Sequence, residues 1–93
     1  MLTSKKTNKK NQEDEKRDDK WALILHNDDT NTFDHVINQL VSYCDHTPIQ
    51  AEQCALITHY KGKCDVLLGE INTLKPIKSQ LEQKSLKVTI DCN

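Results

Sequence analysis

Apolar residues recur in short, regularly spaced groups from Trp21 onwards, and the spacing alternates between that of strands and that of helices. The run Trp21–His26 is apolar and almost uninterrupted, which predicts a buried strand. Residues 64–68 form a second short apolar segment, closed by Gly69, and predict another strand. From residue 86 to residue 91, apolar and polar residues alternate, which is typical of a strand with one face in a core.

Two helices are predicted between the first and second strands. Asn31 is a suitable N-cap for the first helix, and Asp34 lies where the helix dipole favours negative charge. Apolar residues then recur at helical spacing, namely Phe33, Val36, Ile37, Leu40, Val41 and Cys44. The second helix is predicted to begin with a capping box that starts at Thr47, with Pro48 in its first position. Gly62 suits the left-handed position that follows a helix.

A third helix is predicted between the second and third strands. Asn72 or Thr73 can cap it, and Pro76 is expected in about its first turn, where proline is tolerated. Its inward positions are Leu74, Ile77 and Leu81. The resulting order is β-α-α-β-α-β, which predicts a small α+β domain with a three-stranded sheet and helices packed on one face. This domain is expected to span residues 21–93.

The first twenty residues contain almost no apolar side chains and are predicted to be a disordered N-terminal extension. Seven Lys or Arg face five Asp or Glu there, whereas residues 21–93 carry six against nine. The cluster of Lys5, Lys6, Lys9 and Lys10 suggests an alternative function, a small module that binds nucleic acid or the ribosome. Acidic residues follow at once, however, and no aromatic residue is available to stack on bases. We therefore expect no nucleic-acid partner.

The chain contains no apolar run long enough to span a bilayer and no apolar core of a signal peptide. A cytoplasmic location, without a membrane partner, is the corresponding expectation. The four cysteines are expected to stay reduced in that compartment, with Cys44 and Cys54 as small core residues on helix faces. Their spacing contains no zinc motif, so neither a metal nor another cofactor is predicted.

A polar cluster, Asn27-Asp28-Asp29, stands directly after the first strand. Asn and Asp are favoured in turns, so turn chemistry is one interpretation, and a site for a cation is the other. His59 lies in the last turn of the second helix, where it can simply interact with the helix C-terminus. Phe33 falls beside the polar cluster, where the rim of a pocket could lie.

An enzyme is the least favoured function. His59 and Asp29 could form the acid–base pair of a small hydrolase. The sequence offers no nucleophile in a recognisable setting, no glycine-rich phosphate loop and no metal-binding spacing. We therefore predict a binding protein that is not an enzyme.

The order of motifs resembles ClpS, the adaptor family of the bacterial ATP-dependent Clp protease. The similarity covers about residues 20–91 and consists of an apolar strand, NDD, a capped helix, a second helix that ends in HYKGK, and a later GE…K segment. It implies a monomeric adaptor that binds the N-terminal residue of a substrate, an N-degron with a large hydrophobic side chain. The adaptor then delivers the substrate to a Clp AAA+ unfoldase of the ClpA or ClpC type.

The resemblance also implies roles for particular residues. The ligands of the substrate α-amino group fall on Asn27, Asp29 and His59. The contacts with the unfoldase fall on Glu70 and Lys75. The hydrophobic pocket falls on Phe33, Val36, Ala55, Thr58 and Leu86. Because Ala55 and Thr58 replace bulkier apolar residues of the family, the pocket is expected to differ in depth or to have a more polar wall.

Overall fold

Six elements follow one another in the predicted order, in a computed structural model that describes residues 21–93. In chain order they are β1 Trp21–His26, α1 Phe33–Tyr43, α2 Pro48–Lys61, β2 Lys63–Gly69, α3 Ile71–Gln83 and β3 Lys87–Cys92. The α+β class and the β-α-α-β-α-β order are confirmed. The predicted N-terminal extension, residues 1–20, lies outside the described residues.

The three strands form one sheet in the order β2-β1-β3, and both pairs are antiparallel. The central position of β1 explains its continuous apolar run, because a central strand has neighbours on both edges and little access to water. Leu25 pairs with Cys64 on one side and with Val88 on the other. A register shift in β2 leaves Val66 as an extra residue, a β-bulge that lies opposite Leu23 and Ile24.

The hydrophobic core lies between the sheet and the three helices. Leu23 and Leu25 of β1 are fully buried there and belong to one cluster with apolar residues from every other part of the fold. These residues are Leu40, Cys44, Ala51, Val66, Leu74, Leu81, Leu86 and Val88. At about 25 cal/mol for each Å² of apolar surface, burial of such a cluster is the main term that stabilises a domain of this size.

The start of α1 differs from the prediction. Thr32, rather than Asn31, is the N-cap, and its hydroxyl accepts a hydrogen bond from the backbone N–H of His35 at 3.1 Å. Asn31 has another role, because its Nδ2 donates to Asp28 Oδ2 and to the carbonyl oxygen of Ser85, both at 2.8 Å. The side chain that could have capped the helix instead ties the turn after β1 to the segment before β3.

Both ends of α2 form as predicted. The hydroxyl of Thr47 accepts from the N–H of Gln50, while the Gln50 side chain accepts from the N–H of Thr47, which completes the capping box. Gly62 ends the helix in the left-handed region, with φ 94° and ψ −21°. Its N–H donates to the carbonyl of Thr58, so the last turn of α2 is held in place next to β2.

The start of α3 was predicted wrongly. The N-cap is Glu70, without a side-chain capping bond, and the helix begins at Ile71 rather than after Asn72 or Thr73. Pro76 is therefore the sixth helical residue and lies in the second turn. Pro76 has no N–H to donate to the carbonyl of Asn72, four residues earlier in the helix. Asn72 is exposed, so its carbonyl can accept a hydrogen bond from water instead. The carbonyl of Glu70 accepts from the N–H groups of Thr73 and Leu74, both at 3.1 Å, so the first turn already closes on Glu70.

The four cysteines are free, and Cys44 is buried as expected. Burial raises the pKa of the Cys44 thiol to about 11. Cys54 is half-buried and packs against the core. Among residues 21–93, no group of three or more His, Cys, Asp or Glu side chains is arranged to hold a metal ion.

Candidate functional site

A cavity of about 60 Å³ opens where β1 ends, between the first turn of α1 and the last turns of α2. It brings together seven residues that were predicted to form the site, namely Asn27, Phe33, Val36, Ala55, Thr58, His59 and Leu86. Five residues that the sequence did not assign also line it, namely Leu25, His26, Asp28, Asn31 and Thr32. These five residues line the cavity because they lie at the end of β1 and in the turn after it, next to the predicted residues.

Asp29 is placed differently from the other predicted ligands of the amino group. It is exposed, in the turn that borders the cavity, but it is not among the residues that line the cavity. Asp28, which was interpreted as turn chemistry, lines the cavity. The two neighbouring carboxylates therefore occupy different environments.

The carboxylate of Asp28 is fully engaged within the turn. Its Oδ1 accepts from the N–H and the hydroxyl of Thr30 at 2.9 and 3.0 Å, and from the N–H of Asn31 at 3.0 Å. Its Oδ2 accepts from Asn31 Nδ2 at 2.8 Å. Partial burial raises the pKa of Asp28, but the hydrogen bonds from Asn31 and Thr30 outweigh it and hold the pKa below its usual range. Asp28 thus remains ionised and fixes the shape of the turn.

Asn27 connects the two sides of the cavity. Its backbone N–H donates to the carbonyl oxygen of Gly62 at 2.9 Å, so the exit of β1 is fastened to the turn between α2 and β2. The Asn27 side chain is exposed at the cavity. This bond fixes the backbone of Asn27 relative to the end of α2, where His59 lies. The side-chain amide of Asn27 is therefore carried on a fixed backbone position.

The ring of His59 is held by two aromatic neighbours. The Phe33 ring meets it edge-on, with centroids 6.1 Å apart and planes at 85°, and the Tyr60 ring meets it at 4.9 Å and 76°. Within residues 21–93, neither ring nitrogen of His59 takes part in a hydrogen bond. His59 is exposed, so its nitrogens are accessible to a ligand at the mouth of the cavity.

The inner wall of the cavity is mainly apolar. Leu25, Ala55 and Leu86 are each no more than 4% exposed, and Val36 adds a partly buried side chain from α1. Thr58 is buried in the same wall, and its hydroxyl donates to the carbonyl of Cys54 at 2.8 Å. The cavity therefore joins exposed polar groups at its mouth to apolar side chains inside, which suits a ligand with one charged end and one apolar group.

The two residues predicted to contact an unfoldase lie at the other end of the sheet. Glu70 follows Gly69, which pairs with Trp21, whereas the cavity lies beyond His26 at the opposite end of β1. Six strand residues span about 17 Å, which sets the scale of the separation. Glu70 and Lys75 are both exposed at the start of α3. In the described part of the chain, no helix is long and apolar enough to cross a membrane.

The fold and the cavity define a class, that of small α+β proteins with a small, partly apolar pocket beside a capped helix. The model of the family "ATP-dependent Clp protease adaptor protein ClpS" matches residues 16–89. The chain belongs to the ClpS family. This confirms the resemblance that the NDD and HYKGK segments indicated.

Two individual proteins illustrate the relationship. The "ATP-dependent Clp protease adapter protein ClpS" of Nitratidesulfovibrio vulgaris (strain DSM 19637 / Miyazaki F) is 35% identical over 66 residues. The match covers 68% of this chain and 66% of that relative's length. The structure of Agrobacterium tumefaciens ClpS2 bound to L-phenylalaninamide superimposes with a TM-score of 0.75, at 17% identity, and covers 83% of this chain and 100% of that one. At this identity the likeness establishes the fold.

Proposed function

We propose that the chain is an N-degron adaptor, which binds the free N-terminal residue of a substrate and delivers that substrate to a Clp AAA+ unfoldase. The observation that carries the proposal is the cavity itself, where Asn27 and His59 stand at the mouth of an apolar pocket. A substrate N-terminus has the matching chemistry, because its α-amino group is mainly an ammonium at neutral pH and its first side chain follows directly. The combination suits large hydrophobic first residues.

The ammonium group offers three donors, and the proposal assigns an acceptor to each. These acceptors are the side-chain oxygen of Asn27, the carboxylate of Asp29 and a ring nitrogen of neutral His59. The saturated Asp28 supports the choice of Asp29, because four hydrogen bonds from Thr30 and Asn31 leave Asp28 little capacity for a ligand. Asp29, which borders the cavity, keeps an exposed side chain.

The apolar pocket holds the first side chain in this proposal. Its members are Phe33, Val36, Ala55, Thr58 and Leu86. A charged first residue would lose its hydration there without gaining a partner, so it would be excluded. Binding thus combines polar fixation of the terminus with burial of apolar surface, at about 25 cal/mol for each Å² removed from water.

Delivery requires a second surface that stays accessible when the pocket is filled. The proposal places it at Glu70 and Lys75, and their position at the far end of the sheet supports it, since a substrate at the His26 end would not cover them. The partner would be an unfoldase of the ClpA or ClpC type. The adaptor would act as a monomer in the bacterial cytoplasm.

The test compares two labelled peptides of the same composition, which differ only in the order of their first two residues, phenylalanine and glycine. In the first peptide phenylalanine is the N-terminal residue, and in the second a glycine precedes it. Fluorescence anisotropy should give an affinity at least about tenfold higher for the first peptide, because the second removes the apolar side chain from its place beside the amino group. Equal affinities for the two peptides would refute the proposal.

A further inference from the structure

Thr58 is the one polar residue among residues 21–93 that is buried, with 5% of its surface exposed. It lies in the pocket wall, where its neighbours Leu25, Ala55 and Leu86 are apolar. A buried polar group needs hydrogen-bond partners, and a ligand that fills the pocket decides which partners remain. The hydroxyl of Thr58 can therefore distinguish between ligands.

The hydroxyl has a defined direction of hydrogen bonding. Its single proton is donated to the carbonyl oxygen of Cys54, one turn earlier in α2, at 2.8 Å. A hydroxyl oxygen also carries two acceptor lone pairs. Because the proton is already used, Thr58 can offer a ligand only an acceptor.

The wall beside Thr58 is formed partly by a small side chain. Ala55 lies three residues earlier on the same helix and contributes only a methyl group to the pocket. At the mouth, Phe33 is 39% exposed and lies at the surface rather than across the interior. An aromatic side chain that enters from the mouth would meet, with its far edge, the face of α2 that carries Thr58.

We infer that Thr58 is a specificity-determining residue that favours first side chains with a hydrogen-bond donor on an aromatic ring. The phenol of tyrosine and the indole N–H of tryptophan can donate a hydrogen bond to Thr58 Oγ1. Phenylalanine and leucine would keep water away from this oxygen without offering a donor in its place. The substrates of the adaptor are then proteins that begin with tyrosine or tryptophan in preference to phenylalanine or leucine. This inference rests on the proposed function, since it concerns the same pocket.

The test measures affinities of the full chain for peptides that differ only in their first residue. Tyrosine and phenylalanine differ by one hydroxyl, and O-methyltyrosine keeps the oxygen but lacks the donor. One neutral hydrogen bond corresponds to a preference of about threefold to tenfold for tyrosine over phenylalanine, and O-methyltyrosine should lose it. Phenylalanine that binds as tightly as tyrosine, or O-methyltyrosine that matches tyrosine, would overturn the inference.

Two variants locate the effect at Thr58. In Thr58→Val, which keeps the shape but removes the hydroxyl, the ratio of tyrosine to phenylalanine affinity should fall to about one. In Thr58→Ser, which keeps the hydroxyl, the preference should persist. An unchanged ratio in Thr58→Val would show that the phenol points to water and would overturn the role of Thr58. If Thr58→Val fails to fold, the comparison with O-methyltyrosine in the unmodified chain decides.

An N-acetylated tyrosine peptide separates this inference from the proposed function. Weak binding of that peptide, together with equal affinities for tyrosine and phenylalanine, would sink only the role of Thr58. Binding of the acetylated peptide as tight as that of its free twin would contradict the adaptor function itself. Free tyrosine bound more tightly than both acetylated tyrosine and free phenylalanine would support both.

Discussion

The ring of Phe33 meets the ring of His59 edge-on at the mouth of the pocket, with 6.1 Å between their centroids and 85° between their planes. Phe33 is the first residue of α1, and His59 lies in the last turn of α2, so the contact bridges two helices. It joins the side chain at the pocket rim to one proposed ligand of the amino group. The residues proposed for the apolar and the polar parts of recognition are therefore in direct contact.

Phe33→Ala tests this link. Removal of the ring takes away an aromatic contact worth about 0.5–1.5 kcal/mol and leaves the His59 ring less constrained. We expect the affinity for a phenylalanine-first peptide to fall about threefold to tenfold. The melting temperature should change little, because the side chain is 39% exposed. An unchanged affinity in a folded variant would show that the ring contact has no part in binding.

Asp29→Asn tests the proposed carboxylate ligand. The substitution keeps the size of the side chain and removes the charge that faces the substrate ammonium. Because Asp29 is exposed, the pair is worth about 0.2–1 kcal/mol, which predicts a loss of affinity of up to about fivefold. The difference from the unmodified chain should shrink at high salt, when titrations at low and high ionic strength are compared.

Asp34→Asn is the matched control for that substitution. Asp34 is also an exposed aspartate in this region, but it lies in the first turn of α1 and does not line the cavity. Its neutralisation removes the same charge from a residue to which no ligand role is assigned. A loss of affinity as large as that of Asp29→Asn would mean that Asp29 contributes only to the overall negative charge near the cavity and makes no specific contact with the ammonium.

Asp28→Asn should lower stability rather than specificity, because its carboxylate organises the turn. The native pKa is below the value of an unfolded aspartate, so the unfolded state binds more protons in the interval between the two values. The contribution to stability is therefore complete above about pH 3.8, the ordinary value for Asp, and is lost as pH falls through the native pKa. Urea unfolding from pH 6 to pH 2 should show this acid dependence in the unmodified chain.

The comparison variants sharpen that measurement. Asp28→Asn should unfold more easily by about 1 kcal/mol at neutral pH and should lose less stability on acidification. Asp29→Asn should retain the acid dependence attributed to Asp28. Parallel pH profiles for the unmodified chain and Asp28→Asn would contradict the account of the turn.

Gly62→Ala tests the left-handed residue that joins α2 to β2. A Cβ at this position would meet no atom within 4 Å, so the only penalty is the backbone strain of φ +94°, about 1 kcal/mol. Gly69→Ala is the matched control, because its Cβ also meets nothing within 4 Å and its φ is not positive. Thermal unfolding should show a clear loss for Gly62→Ala only. Equal melting temperatures for the two variants would refute the strain argument.

The sequence predicted the elements whose signals are local. The apolar run of β1, the capping box at Thr47 and the glycine after α2 all formed as expected. The cap of α1 was misplaced because Asn31 and Thr32 are both good caps, and the choice depends on a bond from Asn31 to Ser85, 54 residues away. The start of α3 was missed because its N-cap, Glu70, makes no side-chain capping bond and so leaves no local capping signal in the sequence.

The candidate site was predictable in composition but not in geometry. The family resemblance indicated eight residues for the amino-group ligands and the pocket together, and the fold brings seven of them, all but Asp29, to one cavity. No sequence pattern indicates that Asp28 is saturated by Thr30 and Asn31. The ring contact between Phe33 and His59 is equally invisible, because it depends on how two helices meet.

The central claim is that the pocket recognises a free α-amino group, and N-acetylation tests it most directly. Two labelled peptides with phenylalanine first, one free and one N-acetylated, are titrated against the full chain by fluorescence anisotropy. Acetylation removes the positive charge and two of the three donors, so we predict that affinity falls by more than about tenfold. Equal affinity for the free and the acetylated peptide would contradict the claim.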